Sequence, residues 1–235
     1  MTMTPTRNPD LPGREDSILP APGDHVVLGT PLNGPWPQGT EVIYLAGGCF
    51  WGVERFLWRQ DGVVSTAVGY MGGTTPNATY QEICTGATGH AETVRVAYDP
   101  AVCGAGGEAL LRVFWENHDS TRLNRHGNDV GTQYRSAVWT TTPAQQAAAL
   151  AIRQAFGSEL ARLGLGSCVT TVEPAEPLYA DFGGPFYLAE DYHQGYLHKN
   201  PNGYCNHGPN GVTCPVGVAD LPAQVDLLPP QAAQE

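Results

Sequence analysis

The chain carries little charge, and little of what it has is positive: 15% of its 235 residues are Asp, Glu, Lys or Arg, with 12 Lys plus Arg against 23 Asp plus Glu. A formal net charge of -11 excludes the clustered cations that bind a phosphate backbone or an anionic membrane, so neither nucleic acid nor membrane is expected as a partner. No window is apolar for long enough to span a bilayer. Residues 1–20 lack the continuous apolar stretch of a secretory leader. The expected compartment is therefore the cytoplasm, where free thiols are the default. The six cysteines include no C-x-x-C pair, which leaves a zinc site or a disulfide framework without its usual spacing. No internal repeat is present. What the chain does have is 41% hydrophobic residues, enough to bury the core of one domain.

Proline divides the ends from the middle. Residues 1–38 hold Pro5, Pro9, Pro12, Pro20, Pro22, Pro31, Pro35 and Pro37, and no helical or strand period survives between them. They read as an arm, flexible or draped over the core. Residues 218–235 read as a flexible tail, which leaves 39–217 as a single catalytic domain. Within it, apolar runs predict strands at 41–46, 63–70, 90–98, 136–141 and 168–172, and three- and four-residue spacings predict helices at 49–59, 107–117 and 143–163. Strand-helix-strand twice over predicts an α+β fold: a ferredoxin-like two-layer α/β sandwich with a mixed sheet and helices packed on it. Beyond Pro174 the period fades into a long irregular C-terminal segment. Its stretch 182–215 bears two cysteines, and loops of that length are usually functional or disordered.

Four clusters carry chemistry. In Gly47-Gly48-Cys49-Phe50-Trp51-Gly52 a strand ends in two glycines and a helix opens, so Cys49 faces unpaired backbone N–H groups and the positive end of the helix dipole. Both favour thiolate and predict an exposed nucleophile of low pKa. Phe50 and Trp51 cannot share one helix face with Cys49, so at least one ring flanks the thiol and offers a wall to a small methyl-bearing group. Glu54, beyond them, reads as a solvated or capping carboxylate. In the second cluster, Glu92 at a strand entry becomes a general acid if it points into an apolar pocket beside Cys49, where desolvation keeps it protonated. Tyr80 can supply a phenolic donor, and Cys84 reads as structural. The third cluster, residues 124–136, is dense in donors and acceptors before a strand and reads as a site wall, with Asp129 and Tyr134 its leading members. In the fourth, Cys205 on a Gly/Asn/Pro-rich loop can condense with a sulfenic acid on Cys49, and Cys214 can attack the resulting disulfide and pass the oxidation outward. The same loop admits a zinc site drawn from Cys205, Cys214, His193, His198 and His207. Cys103 and Cys168 read as bystanders.

Several long segments, in order, resemble the class A methionine sulfoxide reductases, which act on the S epimer. They are Gly48-Cys49-Phe50-Trp51-Gly52-Val53-Glu54, Gly69-Tyr-Met-Gly-Gly73, Cys84-Thr-Gly-Ala-Thr-Gly-His-Ala-Glu92, Tyr98-Asp-Pro100 and Gly127-Asn-Asp-Val-Gly-Thr-Gln-Tyr-Arg-Ser136. Ala189-Glu-Asp-Tyr-His-Gln194, Lys199-Asn-Pro201 and Gly203-Tyr-Cys205 complete the set, over about residues 40–216. The resemblance implies that Cys49 attacks the sulfoxide sulfur, Glu92 protonates the oxygen, and Tyr80 and Tyr134 hydrogen-bond to it. It implies that Phe50 and Trp51 hold the ε-methyl group, that Asp129 organises the polar wall, and that Cys205 closes a disulfide relayed through Cys214 to thioredoxin. Oxidised proteins and free methionine sulfoxide would be the substrates, no cofactor or metal is called for, and a monomer is expected. Ser120 stands where the family usually has Pro and His126 where Gln is common, which predicts altered loop detail. A rival enzyme class is a cysteine hydrolase pairing Cys49 with His193 or His90, which leaves Cys205 and Cys214 idle. A zinc-organised or redox-sensing binding module is the non-enzymatic rival.

Overall fold

The computed structural model describes residues 8–175 and 186–215; residues 182–185 of the expected cysteine-bearing loop, and the tail at 218–235, lie outside them. The first half of the chain forms β1 (Glu41–Gly47), α1 (Phe50–Leu57), β2 (Val63–Met71), α2 (Tyr80–Cys84), β3 (Ala91–Tyr98), α3 (Pro100–Cys103) and α4 (Glu108–Glu116). The second forms β4 (Arg125–His126), β5 (Asp129–Val130), β6 (Ser136–Thr140), α5 (Pro143–Arg162), β7 (Thr171–Pro174), β8 (Phe186–Leu188) and α6 (Tyr196–Lys199). β4 and β5 pair as a hairpin, and the other strands make one six-stranded sheet in the order β7-β6-β1-β3-β2-β8. The β6–β7 pair is parallel and the other pairs antiparallel, so the fold is α+β with a mixed sheet. No helix among the described residues is long and apolar enough to cross a membrane.

Strand alternation sorts the side chains into two faces. Ile43, Leu45, Val68, Tyr70, Val94 and Val96 meet Phe50, Val53, Leu57, Leu111, Phe114 and Phe156 from α1, α4 and α5 in the main core. α5 presents Gln145, Ala148, Ala149, Ile152, Phe156 and Leu160 to it, spaced by three and four. Thr142 caps that helix by accepting from the Gln145 N–H, and Pro143 fills its first turn. The opposite face carries Ala46, Met71, Ala91 and Trp139, and there the arm's Leu19 and Leu32 pack against Ala67 and Leu188.

Several elements differ from the sequence expectation. The last expected strand begins at Thr171 instead of residue 168, because pairing with β6 sets its limits. The segment beyond 186 is not wholly irregular: it holds β8, a 3-10 turn at Asp191–His193 and α6. α2 closes a capping box in which Thr79 and Glu82 satisfy each other's backbone N–H groups.

Glu54 is the clearest correction. It is fully buried, because α1 turns it toward β2 and the arm. One carboxylate oxygen accepts from the Thr66 hydroxyl at 3.2 Å and the other from the Gly195 N–H at 3.0 Å. His25 of the arm completes the cluster. Its Nδ1 lies 3.1 Å from both the Val27 and Leu28 N–H groups, so it must accept, and Nε2 carries the proton toward Thr66 Oγ1 at 2.7 Å. The arm is thus tied to the helix that begins at Cys49. His25→Ala should strand two backbone N–H groups and loosen a buried carboxylate, at a cost of about 1–3 kcal/mol. Urea unfolding checks this, and an unchanged midpoint would refute the tie.

Candidate active site

β1 and β3 run antiparallel with Leu45 opposite Val94, so the end of β1 emerges beside the start of β3. The turn that follows delivers Cys49, the N-cap of α1, next to Glu92, which pairs with Tyr70 on β2. Glycine is required at 48: φ is +97°, and a Cβ would lie 2.5 Å from His126 Cβ. The Phe50 N–H donates to Glu92 Oε2 at 3.0 Å.

The thiol is not the exposed, acidified group that its helix-start position predicts. Cys49 is 7% exposed, and its pKa is pushed well above the usual range, first by burial and then by the negative charge of Glu92. The helix contribution exists, since the Trp51 N–H bonds to the sulfur and pulls the other way. One N–H does not offset the loss of water. Glu92 is 2% exposed, and burial pushes its carboxyl up to about 8 despite the Phe50 N–H. It is therefore mostly protonated at neutral pH, a donor where most carboxylates only accept.

These two groups open into a cavity of about 90 Å³ lined by Cys49, Phe50, Trp51, Tyr80, Glu92, Asp129, Tyr134 and Tyr204. Burial and then Glu92 raise the phenols of Tyr80 and Tyr134 above their usual range, so both remain O–H donors. Trp51 is locked in place: its Nε1 donates to His193 Nδ1 at 3.0 Å, and its ring stacks on Tyr196 at 3.7 Å. Asp129 faces the cavity from β5. One oxygen accepts from the Tyr204 hydroxyl at 3.1 Å and the other from Asn206 Nδ2 at 3.2 Å. It thereby grips the residues on either side of Cys205. A larger crevice of about 700 Å³, between the arm and β8, is lined by Arg14, Asn33, Asn77 and Arg95 among others. It holds no cysteine or histidine, and Arg14 is spent on Glu82 and Arg95 on Asn33.

Tyr204, Glu190 and Gln194 serve the site without standing out individually in the sequence. Glu190 accepts from the Tyr70 hydroxyl and the Tyr80 N–H, both at 2.9 Å, and so fixes the start of α2. The Gln194 side chain pairs with both the N–H and the C=O of Val68 at 2.9 Å. Polar residues bunched at 189–194 before a helix were the available signal.

The cysteines separate. Cys205 is half-buried and follows directly on Tyr204, which lines the cavity. Cys214 is 3% exposed; its N–H donates to Glu116 Oε1 at 2.8 Å, and burial followed by the charge of Glu116 pushes its thiol up to about 12. Cys103 sits in the core and Cys168 packs on its edge. Cys84 is exposed, which corrects its reading as structural: it ends a short surface helix.

No histidine lines the cavity. His90 is bound between the Gly73 N–H and the Thr75 carbonyl, and His193 accepts from Trp51, so a hydrolase lacks its base. Among the described residues no three His, Cys, Asp or Glu side chains converge as a metal-ligand set.

The family model described as peptide methionine sulfoxide reductase matches residues 41–213. A peptide methionine sulfoxide reductase MsrA from Salinispora arenicola is 56% identical over 216 residues, covering 90% of this chain and 93% of the relative. The MsrA 1 protein of Caulobacter vibrioides is 52% identical, over 91% of this chain and 94% of its own. Among solved structures, methionine sulfoxide reductase A of Corynebacterium diphtheriae superposes with a TM-score of 0.75 at 46% identity, covering 87% of this chain and 94% of that one.

Proposed function

Because the chain belongs to the peptide methionine sulfoxide reductase family and returns methionine (S)-sulfoxide to methionine, we propose that Cys49 attacks the sulfoxide sulfur while Glu92 protonates its oxygen. The observation that carries this is the buried, protonated Glu92 in one small cavity with the Cys49 thiol. A sulfoxide oxygen leaves only when protonated, and here an acid and two phenols, Tyr80 and Tyr134, surround the place it occupies. Phe50 and Trp51 form the apolar wall for the methyl group. The Cys49 thiol gives up its proton as its sulfur bonds to the sulfoxide sulfur, and that proton replaces the one Glu92 gives to the oxygen, so no buried thiolate has to stand beside a carboxylate. Methionine departs and Cys49 is left as the sulfenic acid.

Cys205 then attacks the Cys49 sulfur, water leaves, and a disulfide closes. The Asp129 bonds to Tyr204 and Asn206 support this role, because they hold Cys205 at the cavity mouth. Cys214 takes the disulfide onward, which requires its buried side chain to swing out from Glu116. Thioredoxin is the reductant: the product is a protein disulfide, and the cytoplasm, where we place the enzyme, supplies that dithiol. Oxidised proteins and free methionine sulfoxide both present the same methyl sulfoxide to the cavity. The reaction as proposed calls on residues of one chain, and a monomer is the state we propose. The central antiparallel order β6-β1-β3-β2 supports a ferredoxin-like core with β7 and β8 added at its edges.

Incubation with dithiothreitol and each epimer of a methionine sulfoxide substrate tests the reading: the S epimer is consumed and the R epimer is not. Cys205→Ser should still yield one methionine per enzyme at the wild-type rate but fail to turn over with thioredoxin. Equal multiple turnover in that variant and wild type would remove Cys205 from the resolving role.

A further inference from the structure

On α1, six residues beyond Cys49, half-buried Arg55 reaches the segment that carries Cys205. Its guanidinium Nη2 donates to Cys205 Sγ at 3.0 Å, a short contact for nitrogen and sulfur. Among the described residues Arg55 forms no ion pair with a carboxylate. The acceptor its side chain meets among the described residues is the thiol, and a guanidinium against a sulfur is placed to favour the thiolate. The segment is pinned beside it. His207 Nε2 lies 2.8 Å from the Gly47 carbonyl, and its ring stacks on His126 at 4.0 Å. A Cβ on Gly52 would lie 2.3 Å from His207 Nδ1, so α1 has no side chain at the point where this segment docks.

We propose that Arg55 is a positioning residue for the second half of the reaction: it holds Cys205 and stabilises its sulfur as the attacking thiolate. The inference rests on Cys205 being the resolving cysteine. In the step, the Cys205 S–H proton is released, the thiolate forms a bond to the Cys49 sulfur, and the S–O bond of the sulfenic acid breaks. Hydroxide leaves and takes up a proton as water, so one disulfide and one water replace a sulfenic acid and a thiol. The first step does not call on Arg55, because Arg55 is not among the residues that line the cavity.

The test separates the two steps without an external thiol. Methionine release in a single turnover reads the first, and loss of dimedone-trappable sulfenic acid, with disulfide mapping by mass spectrometry, reads the second. In Arg55→Gln the methionine burst should keep its rate, while disulfide closure slows about 10- to 100-fold, the range of one lost charge-assisted hydrogen bond. The pH profile of closure should shift upward, and Arg55→Lys should restore much of the rate. Closure at the wild-type rate in Arg55→Gln overturns the proposal, as does an equal slowing of both steps, which marks a merely structural role. Closure that persists in Cys205→Ser overturns the resolving assignment itself, and Arg55 with it.

Discussion

Cys49→Ser protein is expected to release no methionine from the S-sulfoxide, not even the first equivalent, with dithiothreitol or with thioredoxin. The hydroxyl of serine does not ionise in this pocket, where burial alone holds even the more acidic thiol protonated. An oxygen at this position also has no accessible sulfenic state to hand on. The loss is total because nothing else in the cavity is a nucleophile: its other members are aromatic rings, phenols and two carboxyl groups. Misfolding does not explain such a result. Cys49 occupies the N-cap of α1 and makes no side-chain cap bond there, and serine is among the preferred residues at that position. The variant should unfold at the same urea concentration as wild type or slightly above it. Chromatographic measurement of methionine in a single turnover decides the matter, and a burst near the wild-type rate would place the nucleophile elsewhere.

The sheet was legible where one periodicity dominated. Leu45, Val68, Val94 and Val96 lie in long apolar runs and fall where the pattern puts them, because both faces of the sheet are covered, one by helices and one by the arm. Short elements escaped because their stability comes from neighbours. β7 exists through pairing with β6, which no local pattern encodes. α2 and the β4–β5 hairpin did leave traces in Thr79-Tyr-Gln-Glu82 and in Gly127-Asn128, a capping box and a two-residue turn. Both were hidden among residues that looked catalytic.

In the site, residue types were readable and their environments were not. Glycines before Cys49 announced a turn into a helix, and that geometry holds. The thiol's chemistry ran the other way because the dipole effect depends on how much water remains, and water is removed by Tyr80, Tyr134 and Tyr204, which arrive from other parts of the chain. Glu54 was misread for the same reason. Its burial depends on His25 and Gly195, at 29 and 141 residues' remove, so its own helix does not reveal it. Arg55 is the converse case: an ordinary surface cation by sequence, and in space the partner of a thiol 150 residues away.

Glu92→Gln should lower the single-turnover rate about 10²- to 10⁴-fold, the range for losing a general acid. Glutamine keeps the size and the acceptor for the Phe50 N–H, so the cavity survives while the proton source does not. Two further effects should run in the opposite direction. Above pH 8, wild-type Glu92 ionises and its charge opposes the Cys49 thiolate; the amide removes that opposition. Alkylation of Cys49 by iodoacetamide, followed by mass spectrometry, should therefore be faster in the variant at high pH and closer to wild type at pH 7. Stability should also rise. A carboxyl with an ordinary pKa of 4.5 that is held at about 8 in the fold binds its proton more tightly folded than unfolded. Wild-type stability from this group is intact below the unfolded pKa, declines as pH rises from there, and levels off above about 8. Glutamine does not titrate, so its advantage should open across that window to a few kcal/mol. Urea midpoints at several pH values measure it. A variant slower in reduction, faster in alkylation and more stable at pH 8 has lost a proton donor; damage to the cavity would cost stability instead, and a near-wild-type single-turnover rate would remove Glu92 from the reaction.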